Sequence, residues 1–244
     1  MTPAGPLTVI RSVIFVIWMY GSMVILGLTL IWMLLFPRSF ARAAFRFWLK
    51  LVFGGLWIIC GQRYEVRGRE NLPEGGALIA SRHESMLETQ AFWQILDDPA
   101  IILKKELSYL PFFGWFAVKL ENIVVDRGAA AKALRKMLRD ARDRAEEGRQ
   151  ILIFPEGTRM KPGEFTELKP GVAGLYAAMK VPCVPVALNS GSYWAGRGII
   201  RKPGTAVIEF LEPIAPGMSR DDFMTALQSR IETGTRALHH QPDC

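Results

Sequence analysis

The apolar positions divide the chain into two unlike parts. No charged residue occurs from Val13 to Phe36, and a run of that length can cross a bilayer core. Arg11 precedes it, and Arg38, Arg42, Arg46 and Lys50 follow at every fourth residue. On a helix this spacing makes one basic stripe that drifts by about 40° per step. Phe40, Phe45, Phe47, Trp48, Leu49 and Leu51 fill other directions, so the stripe reads as an interfacial helix with its cations among lipid headgroups. Apolar residues return at Leu56-Trp57-Ile58-Ile59. Residues 1–60 therefore read as membrane-anchoring helices, either a span followed by an interfacial helix or a hairpin dipping into one leaflet. The uncharged run is too long for the apolar part of a signal peptide, although Ala41-Arg42-Ala43 imitates a cleavage site. The cations beyond residue 37 predict a cytoplasmic membrane protein whose remaining chain faces the cytoplasm.

From residue 61 to 244 the pattern changes. Short apolar runs predict strands at Tyr64–Val66, Leu78–Ala80, Ile101–Leu103, Ile123–Val125, Ile151–Phe154, Cys183–Leu188 and Ala206–Phe210. Helical periodicity lies between them. In the clearest case, Ala129 to about Glu147, the residues Ala133, Leu134, Met137, Leu138 and Ala141 form one face, arginines and lysines crowd the other, and Gly148 ends the helix. A second helix is predicted over Val172–Met179. Ser85-Met86-Leu87-Glu88 reads as a capping box that opens a third. This alternation predicts an α/β domain, a mixed and largely parallel sheet flanked by helices.

Composition narrows the chemistry. Half of the 244 residues are hydrophobic and the net charge is +7, a balance that suits nucleic acid, an anionic membrane or a phosphorylated substrate. Cys60, Cys183 and Cys244 are far apart, which fits a reduced compartment and no zinc site. His83-Glu84 begins like H-E-x-x-H, but Leu87 stands where the second histidine belongs. Neither a Gly-rich phosphate loop nor a G-x-S-x-G nucleophile elbow occurs.

Four predicted strand ends carry polar groups, the usual place for function in such folds. After Leu78–Ala80 comes Ser81-Arg82-His83-Glu84-Ser85-Met86-Leu87-Glu88. His83 is the only histidine outside the last six residues. On a continuous helix His83 and Glu88 point about 140° apart. They meet if His83 lies on a loop and Glu88 in the first turn of the next helix. Glu88 then either orients the imidazole or only caps the helix. Lys104-Lys105-Glu106 follows the third strand, Asp126-Arg127-Gly128 the fourth and Pro155-Glu156-Gly157-Thr158-Arg159 the fifth. Taken singly, each of these also reads as a turn or a surface pair.

Together, and in this order, the motifs resemble those of the glycerolipid acyltransferases, in particular those acting on 1-acyl-sn-glycerol 3-phosphate. His83 to Glu88 matches the family's His-x4-acid motif, Ile123-Val124-Val125-Asp126-Arg127 the second, Phe154-Pro155-Glu156-Gly157-Thr158-Arg159 the third, and Val181-Pro182-Cys183-Val184-Pro185-Val186-Ala187 the fourth. The resemblance runs from about residue 60 to 215. Three departures stand out: Glu88 replaces the usual Asp, Arg82 the usual Asn before the histidine, and Glu121-Asn122 lies where the second motif usually begins with Gly.

The resemblance implies transfer of a fatty acyl group from a thioester, on coenzyme A or acyl carrier protein, to the sn-2 hydroxyl of a lysophospholipid, forming phosphatidic acid in phospholipid biosynthesis. His83 and Glu88 are the implied catalytic pair. Arg127, Arg159 and Lys104 or Lys105 are implied to bind phosphate, Glu156 a glycerol hydroxyl, Gly157 to let the backbone approach closely, and Thr158 to belong to the same binding loop. No metal or prosthetic cofactor is expected, the partners are the two substrates and membrane lipids, and nucleic acid is not among them. Glycerol 3-phosphate, a lyso-ornithine lipid or another lysophospholipid is the alternative acceptor, and a non-catalytic lipid-binding protein the alternative class.

Overall fold

The computed structural model describes residues 5–126, 130–196 and 198–240. Helix α1 (Pro6–Leu30) opens with proline in its first turn, where the missing N–H costs nothing. It tightens into a 3-10 stretch over Ile31–Leu35, and Phe36-Pro37 turns the chain into α2 (Arg38–Cys60). Gly61, at φ 65°, ends α2 in the left-handed conformation that glycine favours. The two helices form an antiparallel hairpin. Trp18 Nε1 donates to the Leu51 carbonyl at 3.0 Å and Trp48 Nε1 to Ser22 Oγ at 3.2 Å. A Cβ on Gly55 would lie 2.3 Å from the Trp18 ring, so that crossing needs a glycine.

Seven strands follow: β1 (Gln62–Arg67), β2 (Ala77–Ser81), β3 (Ala100–Lys104), β4 (Ile123–Val125), β5 (Gln150–Ile153), β6 (Cys183–Leu188) and β7 (Gly204–Phe210). All seven predicted strands are present. Their order is β1-β7-β6-β2-β5-β3-β4; β6 and β7 are antiparallel and every other neighbouring pair is parallel. The helices are α3 (Leu87–Ile95), α4 (Phe113–Lys119), α5 (Ala130–Glu146), α6 (Gly171–Met179) and α7 (Arg220–His240). Both faces of the sheet are covered. On β2, Ala77 and Ile79 share a core with α1 to α4, whereas Leu78 and Ala80 share one with α5 to α7. That two-sided burial explains why the central strands read as unbroken apolar runs.

The hairpin is part of this architecture. Ala41, Phe45, Leu49, Val52 and Leu56 of α2 are buried in the same cluster as Ile79, Phe92 and Val186. The basic stripe also departs from expectation. Arg38 and Arg42 pair with Asp98 at 2.8 and 3.2 Å, and Arg46 donates to the Trp93 carbonyl at 2.9 Å and to that of Leu96. Three of the four cations thus satisfy the carbonyl end of α3 and the turn beyond it, which attract positive charge. The apolar surface points elsewhere: Ile10, Ile17, Ile25 and Leu28 of α1 and Trp57 and Ile58 of α2 are exposed. Both helices are long and apolar enough to cross a membrane.

Opposite the carboxyl ends of the parallel strands, the sheet is tied by Arg149, which is 3% exposed. It donates to the carbonyls of Asp98, Pro99 and Leu120 and pairs with Asp98 and Glu121, joining the entries to β3, β4 and β5. Truncation leaves two buried carbonyls and one partly buried carbonyl short of a donor. Arg149→Ala should destabilise the protein by about 3 kcal/mol, measured as a lowered denaturant midpoint in detergent.

Candidate active site

Strands β2 to β6 run parallel, so their carboxyl ends lie on one edge of the sheet, and every predicted site residue among the described ones sits at that edge. The chain leaves β2 at Ser81 and reaches His83 on a short loop before α3. His83 Nδ1 lies 2.9 Å from Glu88 Oε1, and its ring stacks on Phe154 with centroids 4.1 Å apart. The two meet as the loop-then-helix arrangement requires.

Glu88 is fully buried and saturated. Oε1 also accepts the backbone N–H groups of Glu84 (2.8 Å) and Ser85 (2.6 Å), and Oε2 accepts the hydroxyls of Ser85 (2.5 Å) and Ser190 (2.7 Å). Burial alone pushes this carboxyl up, but His83 and the Ser85 hydroxyl and amide outweigh it and hold the acid below its ordinary range. Capping and orienting prove to be one arrangement. The helix begins at Leu87, and Glu88 reaches back to the Ser85 N–H as a capping box does; Ser85 Oγ, however, accepts from Leu87 N–H at 3.0 Å rather than from Glu88. Because the ionised Glu88 only accepts, Nδ1 carries the proton and Nε2 presents its lone pair.

The residues flanking His83 are buried charges. Arg82, 1% exposed, donates through Nε to Glu84 (3.1 Å), through Nη1 to Glu156 (3.4 Å) and through Nη2 to the carbonyls of Lys161 and Glu164. Glu156 therefore has different surroundings from those of the expected hydroxyl ligand. Its carboxyl is 1% exposed, one oxygen faces Arg82, and the other is buried without a hydrogen-bond partner. Burial raises its pKa to about 7, against the Arg82 charge and the backbone amides of Glu156 and His83, which pull the other way.

Gly157, at φ 68°, turns the chain outward after Phe154, and Thr158 and Arg159 are exposed. Arg159 Nη1 donates to the Gly196 carbonyl at 3.1 Å, and the next residue, Met160, donates its N–H to the His83 carbonyl at 2.7 Å. Arg159 is thus fixed beside the His83 loop. Lys104 is exposed at the end of β3. Lys105 pairs with Asp126 at 2.9 Å, and that hydrogen bond and charge raise its pKa. Arg127 lies outside the described residues. Among the described residues, no group of three His, Cys, Asp or Glu side chains could hold a metal ion.

A family model described as Acyltransferase matches residues 63–189. A protein of Pseudomonas aeruginosa named 1-acyl-sn-glycerol-3-phosphate acyltransferase is 35% identical over 200 residues, which cover 80% of this chain and 77% of that one. This chain belongs to the acyltransferase family. A Saccharomyces cerevisiae acyltransferase of the same name is 28% identical over 163 residues, covering 65% of this chain and 54% of that one. The crystal structure of the 1-acyl-sn-glycerophosphate (LPA) acyltransferase PlsC from Thermotoga maritima shares the fold, with a TM-score of 0.76 at 21% identity over 98% of this chain and 97% of that one.

For an acyltransferase-family site, several contributors had no signal in the motifs. Ser190 reaches Glu88 across 102 residues, and His239 lies 3.1 Å from Glu84 across 155. A histidine from the last six residues of the chain thus reaches the first motif. Arg82 stood out in the sequence only as a departure from the usual Asn; the buried acids Glu84 and Glu156 account for it.

Glu156 makes stability depend on pH. Its folded pKa, about 7, exceeds its ordinary 4.5, so between these values the folded state holds a proton that the unfolded state has lost. The contribution is fully present below about pH 4.5 and is lost as pH rises through about 7, amounting to about 3 kcal/mol. Glu156→Gln should flatten the fall in denaturant stability across that window; an unchanged slope assigns it to another group.

Proposed function

We propose that this protein transfers a fatty acyl group from an acyl thioester to the sn-2 hydroxyl of 1-acyl-sn-glycerol 3-phosphate, forming phosphatidic acid. The observation that carries the reading is the His83–Glu88 pair, with Nδ1 committed to a buried carboxylate and Nε2 left for a substrate hydroxyl, next to Arg159. The names of the Pseudomonas and Saccharomyces relatives support the same activity.

In this mechanism His83 Nε2 takes the hydroxyl proton as the oxygen attacks the thioester carbonyl. Glu88 remains ionised and stabilises the imidazolium. Collapse of the tetrahedral intermediate forms the ester, breaks the carbon–sulfur bond and expels the thiol, which leaves with the proton held by His83. Both substrates bring their own reacting groups, so no metal or prosthetic group takes part and no acyl-enzyme forms. Coenzyme A or acyl carrier protein serves as the donor's carrier. Arg159 binds the acceptor phosphate through its guanidinium fork, assisted by Arg127 and Lys104; Lys105 is engaged by Asp126.

Residues 1–60 anchor the enzyme and residues 61–244 carry the chemistry. The exposed apolar faces of α1 and α2 enter the cytoplasmic membrane, and the catalytic domain faces the cytoplasm. Acceptor and product are then met without leaving the lipid.

His83→Ala should reduce turnover about 10²- to 10⁴-fold, with membrane association retained; near-normal turnover of the purified variant removes the base. Arg159→Ala should raise the acceptor KM roughly ten- to a hundredfold and leave the donor KM unchanged, with Arg159→Lys intermediate. A raised donor KM alone would place Arg159 at the thioester carrier.

A further inference from the structure

Two separate contacts join the end of α7 to the loop that carries His83, one on each side of the histidine. On the far side, Glu84 is fully buried, and its carboxylate has three donors: Arg82 Nε at 3.1 Å, the Gly191 N–H at 2.9 Å and His239 Nε2 at 3.1 Å. His239 Nδ1 lies 3.3 Å from Ser192 Oγ, which fixes the ring plane. On the near side, the Phe165 ring is sandwiched between two guanidinium groups, Arg82 at 4.5 Å and Arg236 of α7 at 4.3 Å. Asn189 Nδ2, donating to the Leu238 carbonyl at 3.4 Å, holds the same turn of α7 against the end of β6.

We infer that His239 is a positioning residue for acyl transfer, acting through Glu84 on the loop that carries His83. The inference rests on the reading of His83 as the base. Glu84 is the next residue after His83, and its own N–H is bound to Glu88 Oε1 at 2.8 Å. Movement of Glu84 is therefore movement of the imidazole relative to the carboxylate that orients it. His239 Nε2 and Arg82 Nε both serve Oε1, so withdrawing His239 leaves that buried, charged oxygen with Arg82 as its one donor, and the loop shifts to restore the lost hydrogen bond. A displacement of about 1 Å at a reacting group can cost about a hundredfold in rate. His239 touches neither a substrate-facing cation nor Glu88 among the described contacts, so its effect should fall on turnover and spare affinity. The neighbouring His240 bonds to the Arg236 carbonyl of its own helix and supplies the internal comparison.

The experiment is steady-state kinetics on the full-length protein in detergent, varying each substrate at saturation of the other. It compares wild type with His239→Ala, His239→Gln, His239→Phe, His240→Ala and His83→Ala, each with its thermal midpoint. His239→Ala should lower kcat about tenfold, the effect of losing roughly one charge-assisted hydrogen bond, with both KM values within about twofold. His239→Gln, which restores a donor near the Nε2 position, should recover most of the loss, and His240→Ala should match wild type. If His239→Ala does not fold, His239→Phe keeps the ring volume without the donor and should show the same tenfold fall. Turnover within about twofold of wild type in either donor-free variant, or a rise in one KM as the main effect, overturns the inference while an inactive His83→Ala leaves the base in place. Full turnover by His83→Ala overturns the base and this inference with it.

Discussion

The edge of the sheet formed by the carboxyl ends of its parallel strands depends on a single buried carboxylate that its surroundings keep charged. Glu88 has no contact with water, and an unpaired ionised carboxyl in such a place is costly enough to neutralise itself. Five donors prevent this, and they come from four places: the His83 ring, the amides of the following turn, the Ser85 hydroxyl, and Ser190 beyond β6. Satisfying the carboxylate therefore fixes the start of α3, the tautomer of His83 and the distance between the ends of β2 and β6 together. The replacement of the usual Asp by Glu is accommodated because the longer side chain still reaches Nδ1 at 2.9 Å.

Around this centre lies a second buried ionisable set, Arg82, Glu84 and Glu156, in which Arg82 and Glu84 are well hydrogen-bonded and Glu156 is not. Glu156 keeps one buried oxygen without a partner. Breaking up such clusters is destabilising even where building them brings little stability. Their role here is geometric. Arg82 crosses from the β2 loop to carbonyls at Lys161 and Glu164, so the loop after β5 and the loop after β2 move as one body.

Much of the fold was legible because most of its strands are short, apolar and bounded by turns; β1, with Arg63, Glu65 and Arg67, shows only an alternation about Tyr64 and Val66. Helix α7 was not anticipated, although Phe223, Leu227, Ile231 and Leu238 lie on one buried face, and α4 was hidden within an apolar tract that lacks helical periodicity. The His83–Glu88 pair could be read from spacing because both partners are local. Ser190 and His239 could not, since side chains brought together by strand order leave no local pattern. The basic stripe of α2 was misassigned for a similar reason. Its period is visible along the chain, but Asp98 and the carbonyls of α3 that absorb it belong to a different element.

The pairing order of the sheet has a consequence for synthesis. β1 pairs only with β7, and β2 lies between β5 and β6, so its neighbours are all made much later. The helical hairpin, by contrast, is complete by residue 60 and needs only its own two helices to form its internal contacts. As the chain leaves the ribosome, the element that can embed in lipid is finished first, while the sheet must wait for Phe210. Contacts of long sequence separation form slowly, and the inner face of α2 is one wall of the core that those strands complete. The sheet is thus assembled onto a helical template that is already in place.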